Sequence, residues 1–263
     1  MNPTLRVTLV QAGLAWHDPD ANRRRFEQLL LPLASCTDLV VLPEMFTTGF
    51  TMAATSVAEP AAGPTVDWLR MMAARMNAVV TGSVATQDGN AHFNRLIWMR
   101  PGGTHESYDK RHLFRMAHEH EHYSAGTRRL LVDLGGWKIC PMVCYDLRFP
   151  VWSRNRIGTA TGYDVLVYVA NWPERRRHAW QTLLRARAIE NLSYCIGVNR
   201  VGKDGNEVSY TGDSAAIDFL GQPMTSAVES ESVQTVTLER ASLDTFRSKF
   251  PAHLDADEFS LRL

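Results

Sequence analysis

The stretch Lys138-Ile139-Cys140-Pro141-Met142-Val143-Cys144-Tyr145-Asp146-Leu147-Arg148-Phe149-Pro150 starts as an apolar run of strand length and breaks at Cys144 into a polar corner. Phe149-Pro150 then predicts the opening of a helix, because proline suits a first helical turn and disfavours its interior. A cysteine on a tight bend leaving a strand is well placed for nucleophilic attack, with the next backbone N–H groups free to receive an oxyanion. The competing reading makes Cys144 one more buried small hydrophobe, as most free cysteines are. What separates the two is whether the rest of the chain supplies a base and a positive charge.

Working outward, Leu130–Leu134 and Trp137–Val143 flank Gly135-Gly136, a hairpin signature. After Pro150, Asp164–Ala170 is an apolar strand, and a long helix is expected over Arg177–Leu192. Strands follow at Tyr194–Val201, Ser214–Phe219 and Ser232–Leu238, with turns at Lys203-Asp204-Gly205 and Gly221-Gln222-Pro223. The N-terminal half has the same rhythm. Arg6–Ala12 is rich in β-branched residues. Asp18-Pro19 pairs an N-cap acid with proline at the first helical position, ahead of Phe26, Leu29, Leu30 and Leu33 at helical spacing. Asp38–Leu42 is short and continuously apolar, as in a sheet covered on both faces. Pro64–Asn77 repeats the helix and Ala78–Ala85 the strand, and Ala91–Arg100 and Thr104–Tyr108 flank the turn Pro101-Gly102-Gly103. Two similar halves without a Ser/Gly linker predict an α/β fold in a single domain over 1–263, with two sheets packed face to face and helices outside. The tail Ala241–Leu263, with Phe246, Phe250, Leu254 and Phe259 among charges, would pack on the domain or on a partner subunit.

The 263 residues are 45% hydrophobic and 21% charged, with 28 Lys+Arg against 28 Asp+Glu. A neutral chain argues against a nucleic-acid or anionic-membrane surface as its main business. The basic runs Arg23–Arg25 and Arg175–Arg177 read as solvated faces. Cys36, Cys140, Cys144 and Cys195 form no CxxC and suit a reduced thiol set. With no signal peptide and no run of membrane-spanning length, a soluble cytoplasmic protein is expected.

Two further side chains are chemically coherent with Cys144. Glu44 follows the apolar run DLVVLP, and a carboxylate at a strand's C-terminal end usually faces a crevice, although a turn acid would look the same. Lys110, in Ser107-Tyr108-Asp109-Lys110-Arg111-His112, ends another strand, where a plain surface lysine is the competing reading. Together Glu44 would take the thiol proton, Cys144 attack, and Lys110 with backbone N–H groups hold the oxyanion.

Leu42–Phe50 (LPEMFTTGF), Tyr108–Phe114 (YDKRHLF) and Val143–Pro150 (VCYDLRFP) resemble, in order, the three signatures of the nitrilase superfamily of carbon–nitrogen hydrolases. Val169-Ala170-Asn171-Trp172-Pro173 is similar to the family's segment after the next strand. The resemblance implies a four-layer α-β-β-α sandwich, catalytic Glu44, Lys110 and Cys144, no metal and no cofactor, and a homodimer or larger assembly. It implies Glu119, seven residues before Gly126, as a second glutamate, with neighbouring Glu121 as the other register. Arg115–Gly126 (RMAHEHEHYSAG) looks most like the ω-amidase branch, whose substrates are short dicarboxylic monoamides such as 2-oxoglutaramate. A nitrilase or an N-carbamoyl amide hydrolase is the alternative within the family. Tyr145, Arg148 and Trp172 are candidate substrate-binding residues. Arg148 would grip a carboxylate with its planar fork, or else pair with Asp146; Trp172 lines the pocket or packs as a core aromatic.

The segment His118-Glu119-His120-Glu121-His122 also matches HExxH, the zinc-hydrolase pattern, which needs both histidines on one helical face. No amphipathic helical run surrounds it, and three histidines in five residues make the match partly automatic. A binding protein on a dead hydrolase scaffold is disfavoured, since every motif position is present.

Overall fold

The computed structural model describes residues 2–261. Its first half runs β1 (Thr4–Gln11), α1 (Pro19–Leu30), β2 (Leu39–Val41), α2 (Ala54–Val57), β3 (Glu59–Pro60), α3 (Pro64–Met76), β4 (Val79–Asp88), β5 (Ala91–Met99) and β6 (His105–Asp109). A one-turn helix, α4 (Glu119–His122), leads to β7 (Val132–Leu134), β8 (Trp137–Val143), α5 (Pro150–Ser153), β9 (Val165–Ala170), α6 (Arg177–Asn191) and β10 (Tyr194–Asn199). The hairpin β11 (Val201–Lys203) and β12 (Ser209–Thr211), then β13 (Ala215–Ile217), β14 (Ser232–Glu239) and α7 (Arg240–Lys249), follow.

One sheet has the order β14-β1-β2-β4-β5-β6, with β3 added beside β4; the other has the order β13-β10-β9-β8-β7. The continuous apolar runs divide strictly by face. Leu39, Val41, Leu96 and Trp98 point between the sheets, where they share a core with Ile139, Val143 and Val167 of the second sheet. Their neighbours Val40, Leu42, Ile97 and Met99 point the other way, under Phe26 and Leu30 of α1 and Leu69, Met72 and Met76 of α3. On the far side, Trp180, Leu184 and Ala188 of α6 join the core of the second sheet. The layers are therefore α-β-β-α, and burial on both faces is why the strands carry no polar alternation.

Local signals set the helix ends. Asp18 accepts a hydrogen bond from the Ala21 N–H at 2.9 Å with Pro19 in the first turn, as a capping acid should. At the far end of α3, Asn77 turns left-handed at φ +50°, and its N–H returns to the Ala73 and Ala74 carbonyls.

The helix expected after Pro150 is present as a single turn, Pro150–Ser153, and the chain leaves it at Arg154. The last strand, β14, lies antiparallel along all eight residues of β1 in the first sheet. One expectation needs correction: the basic runs are only partly solvated. Arg23 pairs with Glu59 at 2.9 Å, Arg177 pairs with Asp213 at 2.8 Å, and Arg176 lines a cavity, which leaves Arg24, Arg25 and Arg175 exposed. In the tail, α7 buries Leu243 and stacks Phe246 on Phe219 with ring centroids 4.8 Å apart, while Phe250 and Leu254 stay exposed. Arg262 and Leu263 lie outside the described residues.

Candidate active site

Parallel strands bring their C-terminal ends to one edge of each sheet, and the two edges face each other across a crevice. Glu44 lies just beyond β2, Lys110 directly follows β6, Cys144 follows β8, and Asn171 follows β9. Glu119 enters from the first turn of α4. The structure therefore brings Glu44, Lys110, Glu119 and Cys144 together from four separate elements.

The charged groups saturate one another. Lys110 Nζ donates to Glu44 Oε1 at 2.8 Å and to Glu119 Oε1 and Oε2 at 3.0 and 2.9 Å, and all three side chains are fully buried. Asn94, from β5, donates through Nδ2 to Glu44 Oε1 at 2.8 Å and to Glu119 Oε1 at 3.3 Å. The Asn171 backbone N–H donates to Glu44 Oε2 at 2.8 Å, and the Lys110 ammonium sits 5.0 Å from the centroid of the Phe50 ring. Buried charges demand this density of partners, because an unpaired one costs several kcal/mol. Glu121 is exposed and accepts only from His118 at 2.9 Å, so the glutamate that meets Lys110 is Glu119.

Cys144 sits at φ +43°, a left-handed conformation that side chains rarely adopt and that costs on the order of 1–3 kcal/mol. A short 3₁₀ turn, Cys144–Arg148, begins there and forms the polar corner. Burial pushes the Cys144 thiol well up, the Glu44 carboxylate adds to that, and Lys110 opposes it. Cys144, Glu44, Lys110 and Asn171 line the same cavity, so the thiol opens onto the Glu44–Lys110–Glu119 cluster. Burial works against the Lys110 ammonium, but Glu119 and Glu44 outweigh it and the net shift is upward. Burial raises the Glu119 carboxyl, against the pull of Lys110.

Asp146 is not the partner of Arg148. Its Oδ2 accepts from Tyr108 Oη at 2.7 Å and from the Val143 N–H at 3.1 Å, and its Oδ1 accepts from the His112 N–H at 2.9 Å. It thereby ties the Lys110 loop to the corner that carries Cys144. Tyr145 packs edge-on against Phe114 at 5.0 Å, and Trp172 donates through Nε1 to the Arg176 carbonyl at 2.8 Å while carrying the Arg148 guanidinium 4.9 Å above its ring. All three of Tyr145, Arg148 and Trp172 line a cavity of about 490 Å³ that reaches Glu44, Lys110 and Cys144.

The zinc alternative does not fit. Glu119 is turned inward onto Lys110, and His118 stands outside the one-turn helix at φ +59°. Among the described residues, no three His, Cys, Asp or Glu side chains form a group able to hold a metal ion.

Sequence reasoning missed Asn94, Asn171 and Arg176. Asn171 had a signal, a polar residue at the end of an apolar strand. Asn94 lies inside a strand between Phe93 and Arg95, and nothing in its neighbours distinguishes it.

Comparisons with known proteins identify the family. Residues 6–248 match the family model described as carbon-nitrogen hydrolase. The chain is 49% identical to the Omega-amidase YafV of Escherichia coli K12, covering 98% of this chain and 99% of that one, and 29% identical to a 2-oxoglutaramate amidase of Bacillus subtilis, covering 95% and 96%. The crystal structure of XC1258 from Xanthomonas campestris, a CN-hydrolase superfamily protein with an arsenic adduct in its active site, superposes with a TM-score of 0.97 at 52% identity over the full length of both chains. With its layered fold, its strand-end cluster and a family match across most of its length, the chain belongs to the carbon–nitrogen hydrolase family.

Proposed function

We propose that the protein is an ω-amidase, a single-domain hydrolase that releases ammonia from short dicarboxylic monoamides such as 2-oxoglutaramate. The observation that carries this is the strand-end Cys144 sharing one cavity with Glu44 and with a buried Lys110 ammonium that meets Glu44 at 2.8 Å and Glu119 at 2.9 Å. Glu44 takes the thiol proton as the sulfur attacks the amide carbon. The developing oxyanion is met by the Lys110 ammonium and by the leading backbone N–H groups of the turn after Cys144. Glu44 returns the proton to the departing nitrogen, ammonia leaves, and a water deprotonated by Glu44 cleaves the thioester to a carboxylate. Glu119 holds Lys110 in place. No step requires a metal or an organic cofactor.

Arg148, 4.9 Å from the Trp172 ring centroid at the cavity wall, supports the preference for an acid with a second carboxylate. Names of relatives point the same way: an Omega-amidase and a 2-oxoglutaramate amidase. Exposed Val151, Ile189, Phe250 and Leu254 favour burial against a second copy of the chain. The test compares kcat/KM for 2-oxoglutaramate and succinamate with that for butanamide and butyronitrile. The acidic amides are expected to lead, and a preferred nitrile or neutral amide overturns the assignment. Among the described residues no helix is long and apolar enough to cross a membrane.

A further inference from the structure

Arginines in this protein are generally given acceptors by the fold. Arg23 has Glu59, Arg95 has Asp109, Arg177 has Asp213, and Arg240 and Arg247 share Asp164. Buried Arg200, which meets no carboxylate, donates through Nε and Nη2 to the carbonyls of Leu14, Val201 and Lys203, although its Nη1 also lacks an acceptor. Arg148 and Arg176, at the cavity, have neither a carboxylate nor a carbonyl. Arg148 makes no hydrogen bond or ion pair among the described residues, and only the Trp172 face lies against it. Arg176 has a buried Nη1 with no partner at all; its Nη2 meets only the thioether of Met116 at 2.8 Å, and its guanidinium lies 5.2 Å from the centroid of the Phe114 ring. A thioether is a weak acceptor, and a buried guanidinium N–H without an acceptor is costly.

The two sites are mechanically linked. Arg176 follows the Pro173 turn, and its carbonyl is pinned by the same Trp172 indole that carries Arg148. Both guanidinium groups lie over aromatic rings, which attract them without neutralising their charge. Burial lowers the Arg176 pKa, and the positive charges of Arg175 and Arg148 lower it further, so the cations repel in the empty cavity.

We propose that Arg176, acting with Arg148, is a specificity-determining residue that binds the distal carboxylate of the substrate, the carboxylate completing the valence of the orphaned Nη1. This rests on the ω-amidase reading and names the residue pair that selects acids there. A carboxylate has two oxygens and four lone-pair directions, enough to accept from both forks at once. It also relieves the repulsion between the two cations, which a neutral amide cannot do.

The experiment uses glutaramate and its neutral counterpart pentanamide. Calorimetry on the Cys144→Ala protein reads binding without turnover, and kcat/KM on the otherwise native enzyme reads selection. Arg176→Gln is expected to weaken glutaramate binding, and the glutaramate-to-pentanamide ratio of kcat/KM, on the order of tenfold or more, the range of a charged hydrogen bond. Arg176→Lys, which keeps the charge but not the fork, should recover part of both. A purely structural effect would lower both substrates together and leave the ratio in place, and that result overturns the proposal. Unchanged glutaramate binding in Cys144→Ala/Arg176→Gln also overturns it. If the enzyme instead prefers neutral amides while Arg176 still governs glutaramate binding, the ω-amidase assignment fails and the carboxylate site stands.

Discussion

The crevice holds two groups of charges that are managed in opposite ways. At its floor, Glu44, Lys110 and Glu119 are fully buried, and every charge meets an opposite one within 3.0 Å. At its wall, Arg148 and Arg176 are only partly covered and meet aromatic rings rather than carboxylates. The floor is electrostatically complete before substrate arrives, so its groups do not reorganise during the reaction, which is the condition for stabilising a transition state efficiently. The wall is left incomplete, so its free energy is realised only when an anion enters. On the proposed reading, chemistry sits where charge is satisfied, and selection sits where it is not.

The largest effect should come from breaking the floor at the nucleophile and its base. Cys144→Ala should abolish turnover, and Glu44→Gln, which keeps the shape but removes the proton acceptor, should cost 10²-fold or more, roughly the worth of a general base. Single-turnover measurements place the Glu44→Gln loss in acylation; normal acylation in that variant would remove Glu44 from its assigned part.

Next comes the pairing itself. Glu119→Gln leaves Lys110 with one carboxylate, so both turnover and thermal stability should fall, the latter by up to about 3–5 kcal/mol, the range for breaking a buried ion pair. Glu121→Gln, two residues on but exposed, should change stability by less than about 0.5 kcal/mol and leave activity intact. A dead Glu121→Gln enzyme beside an active Glu119→Gln enzyme would reverse the register.

At the wall, Arg148→Ala should raise KM for succinamate roughly 10- to 100-fold, the worth of a charged hydrogen bond, with a smaller change in kcat. Equal losses on butanamide would show a packing defect instead.

The smallest effect is a titration. In the native protein, burial and then the Glu44 charge raise the Cys144 thiol, and Lys110 lowers it. Removing the Glu44 charge leaves Lys110 less opposed, so in Glu44→Gln the thiol should ionise at lower pH. Iodoacetamide labelling of Cys144 followed against pH should therefore begin earlier in the slower enzyme. A shift the other way would mean that Glu44 does not face the sulfur.

Much of the scaffold was legible in sequence because its strands are buried on both faces and its helices carry capping acids and prolines. Asp18-Pro19, Pro64 and the glycine turns are local signals with local causes. The corner at Cys144 was visible for the same reason. The partners across the crevice were not. Whether Glu119 or Glu121 turns inward depends on a one-turn helix in a stretch alternating Glu and His, where periodicity offers no vote. Asn94 and Asn171 come from different sheets and meet only at Glu44. Arg176 hid within a run of three arginines, where composition suggests solvent for all of them. The return of β14 to β1 is a long-range pairing that no pattern within either strand announces.

That pairing has a consequence for how the protein is made. Thr8 and Thr235 share a hydrogen bond across 227 residues of chain. At 5–20 residues per second, a ribosome takes roughly 10–45 s between synthesising the two strands. Through that interval one edge of β1 lacks its permanent neighbour, and an unpaired strand edge invites pairing with another nascent chain. The first strand to emerge is among the last to be completed, so yield in the cell should depend on how well the chain is chaperoned until Ser232–Glu239 has cleared the ribosomal exit tunnel.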